Sequence, residues 1–171
     1  MEKKAKYETI FVLIMLLLIN LSYLVYSHYS PTKNNFCQIT NKFSCDIVNK
    51  SAYSELAHIP VSVIGIIGFL IILFFIYQAY IGKNEKINLN YVGILLIISI
   101  IASFSLIVIE SFILQMFCPL CMLGDLFISA IAAIFLTLNA KINNNLSISI
   151  KILIFLLLFG ILYAAFNAFL L

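Results

Sequence analysis

The sequence predicts an all-α, polytopic membrane protein with five transmembrane helices, and three observations predict it. Hydrophobic residues make up 64% of the 171-residue chain and charged residues only 10%, with a mean hydropathy of +1.13, more apolar than a soluble core requires. The apolar residues gather into five runs, each near the roughly 20 residues that span a hydrocarbon core of about 30 Å. The ten basic residues are all lysines, and they are scattered. A net charge of +3 distributed in this way leaves no basic patch, so no nucleic-acid partner is expected.

The first run, residues 9–26, follows Lys3, Lys4 and Lys6. It is long for the apolar part of a signal peptide, and the Tyr, His and Ser residues after it make a poor cleavage site, so it reads as a retained span. Residues 29–59 then turn polar and irregular, with Pro31, Asn34, Asn35, Cys37, Cys45 and Asn49, and form the one sizeable extramembrane segment. Near its end Ala52, Leu56 and Ile59 recur at helical spacing, predicting a surface-lying helical segment with Glu55 and His58 on its solvated face.

Residues 60–81 form a second span, closed by Gly82, Lys83, Asn84, Glu85 and Lys86; within it Gly65 and Gly68 permit close approach of a helix or a ligand. Residues 91–109 form a third. Glu110 to Phe117 is expected as a tight turn or helix extension, with Glu110 at the membrane interface. The fourth span covers 118–138, and a polar segment separates it from the fifth at 150–171. All five belong to a single domain, 1–171.

Orientation follows from the excess of Lys that cytoplasmic loops retain. Lys3, Lys4, Lys6, Lys83, Lys86, Lys141 and Lys151 fall on the amino-terminal side, against Lys33, Lys42 and Lys50 opposite. The amino terminus is therefore expected inside a cytoplasmic (inner) membrane. In the absence of tryptophan, Tyr23, Tyr26, Tyr29, Tyr77, Tyr80 and Tyr91 supply interfacial aromatics near the span ends. Although cysteine plays no part in this assignment, it brings Cys37, Cys45, Cys118 and Cys121 all to the outer face. Disulfides persist in such oxidising compartments.

Cys118-Pro119-Leu120-Cys121 is the sequence's most reactive feature. If a helix begins here, Pro119 suits its first turn, and the free N–H groups at that end make a reactive place for a thiol. Cys121 lies one turn further in, about 4.5 Å along the axis. One sulfur is thus expected to meet a protein at the surface, its neighbour a ligand dissolved in the bilayer. Thiol–disulfide exchange needs in-line attack, so two pairs can pass electrons only if one moves; the loop bearing Cys37 and Cys45 is the mobile candidate. The expected relay runs from a reduced thiol protein outside, through Cys37 and Cys45, to Cys118 and Cys121, and then to an apolar two-electron acceptor, a quinone. No metal site is expected, because the spacing from Cys37 to Cys45 is wide for a zinc knuckle. Asp125 follows Cys121 on the same helical face; a carboxyl at that depth is costly unless protonated or paired, and it is a candidate to relay a proton or bond a quinone oxygen. The alternative is a non-catalytic membrane scaffold or carrier whose outer disulfides brace the loop.

Taken together, Cys37 and Cys45, then Tyr53, Ser54, Glu55 and Leu56, then Ile59, Pro60 and Gly65, and finally Cys118 and Cys121, resemble the bacterial homologues of vitamin K epoxide reductase. The resemblance implies a four-helix bundle around a quinone (ubiquinone, menaquinone or a relative), with Cys121 facing the quinone beside Asp125 and Gly65. It further implies transient pairing of Cys45 with Cys118, and Cys37 meeting a thioredoxin-like (DsbA-like) exported protein. Vertebrate members carry a tyrosine where Asp125 stands. Many bacterial members continue into a thioredoxin-like domain, whereas this chain ends at Leu171, so a separate partner protein is expected. The lysine asymmetry makes the orientation testable: in a cysteine-free background, Lys33→Cys should react with an impermeant maleimide from outside, and Lys83→Cys only after permeabilisation. Labelling in the opposite sense would invert the topology.

Overall fold

The structure is a computed structural model, and it describes residues 2–30, 43–138 and 144–170, with side chains over 3–30, 43–138 and 150–163. Six α-helices follow in order: α1 (Glu2–Tyr29), the short α2 (Cys45–Asn49), α3 (Val61–Tyr80), α4 (Glu85–Ile109), α5 (Pro119–Leu138) and α6 (Asn144–Leu170). Four of these, α1, α3, α4 and α5, are long and apolar enough to cross a bilayer, and the described part of α6 adds a shorter apolar helix, Ile150–Tyr163. The expected spans are all helical. Helices α1, α4 and α6 begin earlier than the apolar runs do, because their polar first turns continue the helix.

Each long helix buries one stripe and shows apolar residues on its other faces. In α1 the buried stripe is Ile10, Ile14 and Leu17; in α4 it is Val92, Leu96 and Ile100; in α5 it is Ile128, Ile131 and Phe135. These residues recur at three- and four-residue intervals, the period of one helix face. The outward faces carry Val12, Ile19, Phe74 and Ile98, all exposed. Helices apolar on every side suit hydrocarbon surroundings.

Helix α1 packs on α3 and α5, α3 on α4, and α4 on α5, closing a ring of four; α6 lies outside the ring against α4 and α5. Lipid offers no hydrophobic drive between helices, so close approach and interhelical hydrogen bonds hold them. Gly124 of α5 shows this: a Cβ there would lie 3.3 Å from the Asn20 side chain of α1. That approach lets Asn20 Nδ2 donate to the Leu120 carbonyl at 2.9 Å.

The two ends of the ring differ chemically. At one end Lys3 and Tyr7 of α1 both engage Glu85 at the start of α4, and Lys6 donates to the Thr137 carbonyl near the end of α5. At the other end a cap closes the ring. It consists of α2, a 3-10 turn (Ala52–Ser54) and a two-stranded hairpin, β1 (Glu55–Leu56) and β2 (Ile59–Pro60), paired Glu55 to Pro60 and Leu56 to Ile59.

The hairpin corrects the expected surface helix at Ala52, Leu56 and Ile59. Ala57 and His58 both take positive φ, 52° and 65°, the left-handed pair that a tight two-residue hairpin turn demands. The apolar recurrence there is therefore coincidental, although His58 is solvated as expected.

Loss of the α1–α5 hydrogen bond in Asn20→Ala is expected to lower the unfolding free energy in detergent by about 1 kcal/mol. An unfolding titration in dodecyl sulfate would measure it, and an unchanged midpoint would deny the bond a role.

Candidate functional site

Phe117 and Phe43 form an isolated parallel bridge, and the Ser44 N–H donates to the Phe117 carbonyl at 3.0 Å. This ties the cap to the residue immediately before Cys118. Ser44 then caps α2, its side chain accepting the Ile47 N–H, so Cys45 enters as the first residue of that helix. The far side of the cap is fixed to the end of α1. Asn49 Nδ2 donates to the Leu24 carbonyl at 2.7 Å, His28 Nδ1 lies 2.6 Å from the Asn49 carbonyl, and His28 Nε2 lies 3.2 Å from Glu55.

The beginning of α5 is capped twice. Cys118 stands in the N-cap position, its carbonyl accepting the Met122 N–H, while its Sγ accepts the Cys121 N–H at 3.2 Å. Its own N–H donates to Glu110 Oε2 at 3.1 Å. Glu110 thus plays for this helix the part that the third residue's carboxyl plays in a capping box. Glu110 faces inward as the next position of the buried stripe of α4 after Ser103 and Ile107, at ordinary helical spacing. A π turn, Glu110–Leu114, stopped by Gln115 at φ 50°, follows it, a distortion common at functional sites. Glu110 is only 5% exposed, so the expected interfacial position is corrected: it is part of the interior.

These supports bring Cys118 Sγ to 3.3 Å from Cys45 Sγ. Both residues are buried, Cys118 completely. Cys118 and Cys121 are free thiols, and Cys45 is in a disulfide. The expectation that one sulfur of Cys118 and Cys121 faces the surface is corrected: Cys118 faces Cys45 beneath the cap. Cys45 likewise sits in a buried helical turn rather than a free loop. Cys37 lies outside the described residues.

Cys121 has moved round the helix and lines a cavity of about 260 Å³ inside the ring of four. Asp125 and Gly65 line it too, as do Glu110, Ser103 and Ser62. Ser103 hydrogen-bonds the Asp125 carboxyl, pairing that buried group as its depth requires. The remaining lining is mostly aliphatic. Ile64 of α3 and Ile98 of α4 both line the cavity and are exposed on the outside of the bundle, so the cavity opens laterally between these helices.

The sequence singled out Cys45, Cys118, Cys121, Asp125 and Gly65, and the structure brings all five to one region. It adds Ser103, His28 and Asn49, which carry no motif; only their polarity within or beside apolar runs marked them. A search of curated proteins returned no match, and neither did a search of solved structures. A family model, that of the vitamin K epoxide reductase family, matches residues 9–138, from the first span to the end of α5. That match covers well over half of a chain built from long apolar helices, so the protein is a multi-pass membrane oxidoreductase and belongs to the vitamin K epoxide reductase family.

Proposed function

We propose that the protein is a thiol:quinone oxidoreductase that reoxidises an exported thioredoxin-like protein and thereby supports disulfide formation outside the cell. The observation that carries the reading is the placement of the two sulfurs of the Cys-x-x-Cys pair. Cys118 Sγ is 3.3 Å from Cys45 Sγ, within the roughly 3–3.5 Å separation of a near-attack geometry. Cys121, one helical turn on, lines an apolar cavity that opens to lipid.

The exchange balances as follows. The dithiol of the thioredoxin-like partner reduces the bond between Cys37 and Cys45 and leaves oxidised. The Cys45 thiolate attacks Cys118 of a Cys118–Cys121 disulfide, the bond between that pair breaks, and Cys121 departs as a thiolate. Cys37 then attacks Cys45, freeing Cys118. Two electrons now reside on Cys118 and Cys121, the pattern in which Cys45 is bonded and the inner pair are thiols. A quinone supplies a two-electron, two-proton acceptor. Its reduction to the quinol re-forms the Cys118–Cys121 bond.

The cavity fits such a substrate. An apolar cavity of about 150 Å³ holds a benzene ring, so one of about 260 Å³ has room for a quinone head group with its tail leaving between α3 and α4. Asp125 lines the same wall as Cys121 and is suited to holding or relaying a proton there, while Gly65 leaves space for the ring. The redox end is assigned to the exterior, with the amino terminus inside, in keeping with the lysine distribution.

Cys118→Ala and Cys121→Ala are expected to abolish quinone reduction, and Cys37→Ala to block oxidation of the partner protein first. The double variant Cys37→Ala/Cys121→Ala lacks both resolving thiols; with diamide added as the two-electron oxidant that joins the two remaining thiols, a Cys45–Cys118 bond should accumulate and appear by mass mapping after alkylation. Intact turnover without Cys118 would end the mechanism. Glu110→Ala removes the acceptor for the Cys118 N–H and should slow formation of that bond about tenfold, about 1.4 kcal/mol in the barrier. Glu110→Gln keeps an acceptor oxygen and should remain within about twofold. Equal loss in both variants, in stopped-exchange measurements, would assign Glu110 a charge-dependent role instead.

A further inference from the structure

Helix α2 carries Cys45 as its first residue and Asn49 as its last, so the place of the Cys45 sulfur depends on how both ends of one short helix are held. The front end is tied to the entry of α5 through the Ser44 N–H and the Phe117 carbonyl. The back end is tied to the last turn of α1, and there His28 makes a contact of a different kind. Its Nδ1 lies 2.6 Å from the Asn49 carbonyl of α2, and its Nε2 lies 3.2 Å from Glu55 Oε1 of β1. One ring thus joins α1, α2 and the hairpin. The His28 side chain is only 9% exposed, so water is a poor substitute for either partner.

Both partners are acceptors. A carbonyl oxygen has no hydrogen to give, and an ionised carboxylate has none either, so each ring nitrogen must bring its own. A neutral imidazole has one N–H and one lone pair, and it would turn that lone pair on the carbonyl or on the carboxylate. Only the imidazolium, with an N–H on each nitrogen, makes both bonds. The charged groups around it leave this pairing undisturbed. On α2, Asp46 accepts from Ser27, and Lys50 pairs with Asp46 and donates to the Ser30 carbonyl. On α1 the Tyr29 ring meets His28 edge-on, with centroids 5.1 Å apart. His58, the second of the two histidines in the chain, is fully exposed, and its Nδ1 lies 3.8 Å from the other Glu55 oxygen.

We propose that His28 is the positioning residue that seats Cys45 against Cys118, and that it does so as the imidazolium. Histidine is the side chain that changes charge near neutral pH. On the acid side the ring bridges α1, α2 and the hairpin, and the cap is closed over Cys118. As pH rises and the proton leaves, one of the two bonds is lost and the back end of α2 loosens. His28 acts through Asn49 and Glu55 rather than on a sulfur, so this holds whatever the electron acceptor is.

The test uses the full chain, labelled with nitrogen-15, in detergent at about pH 5.5 and about pH 8.5, either side of the range in which histidine exchanges its proton. Amide hydrogen exchange is read at Ser44 and Val48, whose N–H groups bond to the Phe117 and Ser44 carbonyls. Expressed as protection factors, it reports cap opening with the direct effect of pH on exchange divided out. Protection in the wild type should be about tenfold lower at the higher pH, the loss of one bond to a charged group. Both His28 ring nitrogens should carry hydrogen at the lower pH, by their chemical shifts. His28→Ala should show the lower protection at both pH values. Glu55→Gln should show the higher protection at both, because an amide donates to a neutral ring and accepts from a charged one. His58→Gln should follow the wild type. If His28→Ala does not fold, the wild type and Glu55→Gln decide between them. Equal protection at both pH values in the wild type, a Glu55→Gln profile that follows the wild type, or a His28 ring with a single N–H at the lower pH would overturn the assignment.

Discussion

The site depends on two backbone segments, distant in the chain, being held side by side where the Ser44 N–H meets the Phe117 carbonyl. On one side of that bond the chain turns into α2 and delivers Cys45; on the other it enters α5 and delivers Cys118. The sulfurs meet because the backbones already do. Neither cysteine's own contacts would suffice, since a weak sulfur hydrogen bond cannot fix two long segments against the chain entropy they lose.

A second constraint is imposed by hydrocarbon surroundings. Polar groups inside such a bundle need partners within it, and the interior is accordingly a set of pairs: Asn20 with the Leu120 carbonyl, Asp125 with Ser103, Glu110 with the Cys118 N–H. These pairs also position chemistry. The Asn20 bond holds the first turn of α5 against α1, and the Glu110 bond holds the residue in front of it. The same contacts that make the ring stable therefore orient the Cys-x-x-Cys turn between cap and cavity.

Much of this was legible in the residues. Apolar runs of bilayer length became helices, and the positions of Pro119 and the two cysteines placed a reactive turn at a helix start. What stayed hidden has physical reasons. The polar start of α1 is helical because Lys3, Lys6 and Tyr7 find partners on α4 and α5, which are tertiary contacts that no local pattern reports. The hairpin uses Ala57 and His58 where Asn and Gly are usual, so it gives no turn signal. Glu110 continues the buried stripe of α4 after Ser103 and Ile107 at ordinary helical spacing, so its inward direction was there to be read; placing the end of the third apolar run at the membrane interface hid it. Burial of Cys118 was missed for a related reason: it arises from the lid above it, and the lid is built from residues whose irregular sequence looked like open loop.

That burial has a consequence for selectivity. Cys118 has no accessible surface, and a small thiol dissolved in water cannot attack a sulfur it cannot touch. Free reductants dissolved in water are thus kept from Cys118, however favourable their potential. Exchange at that sulfur is left to the one neighbour the lid holds against it, Cys45.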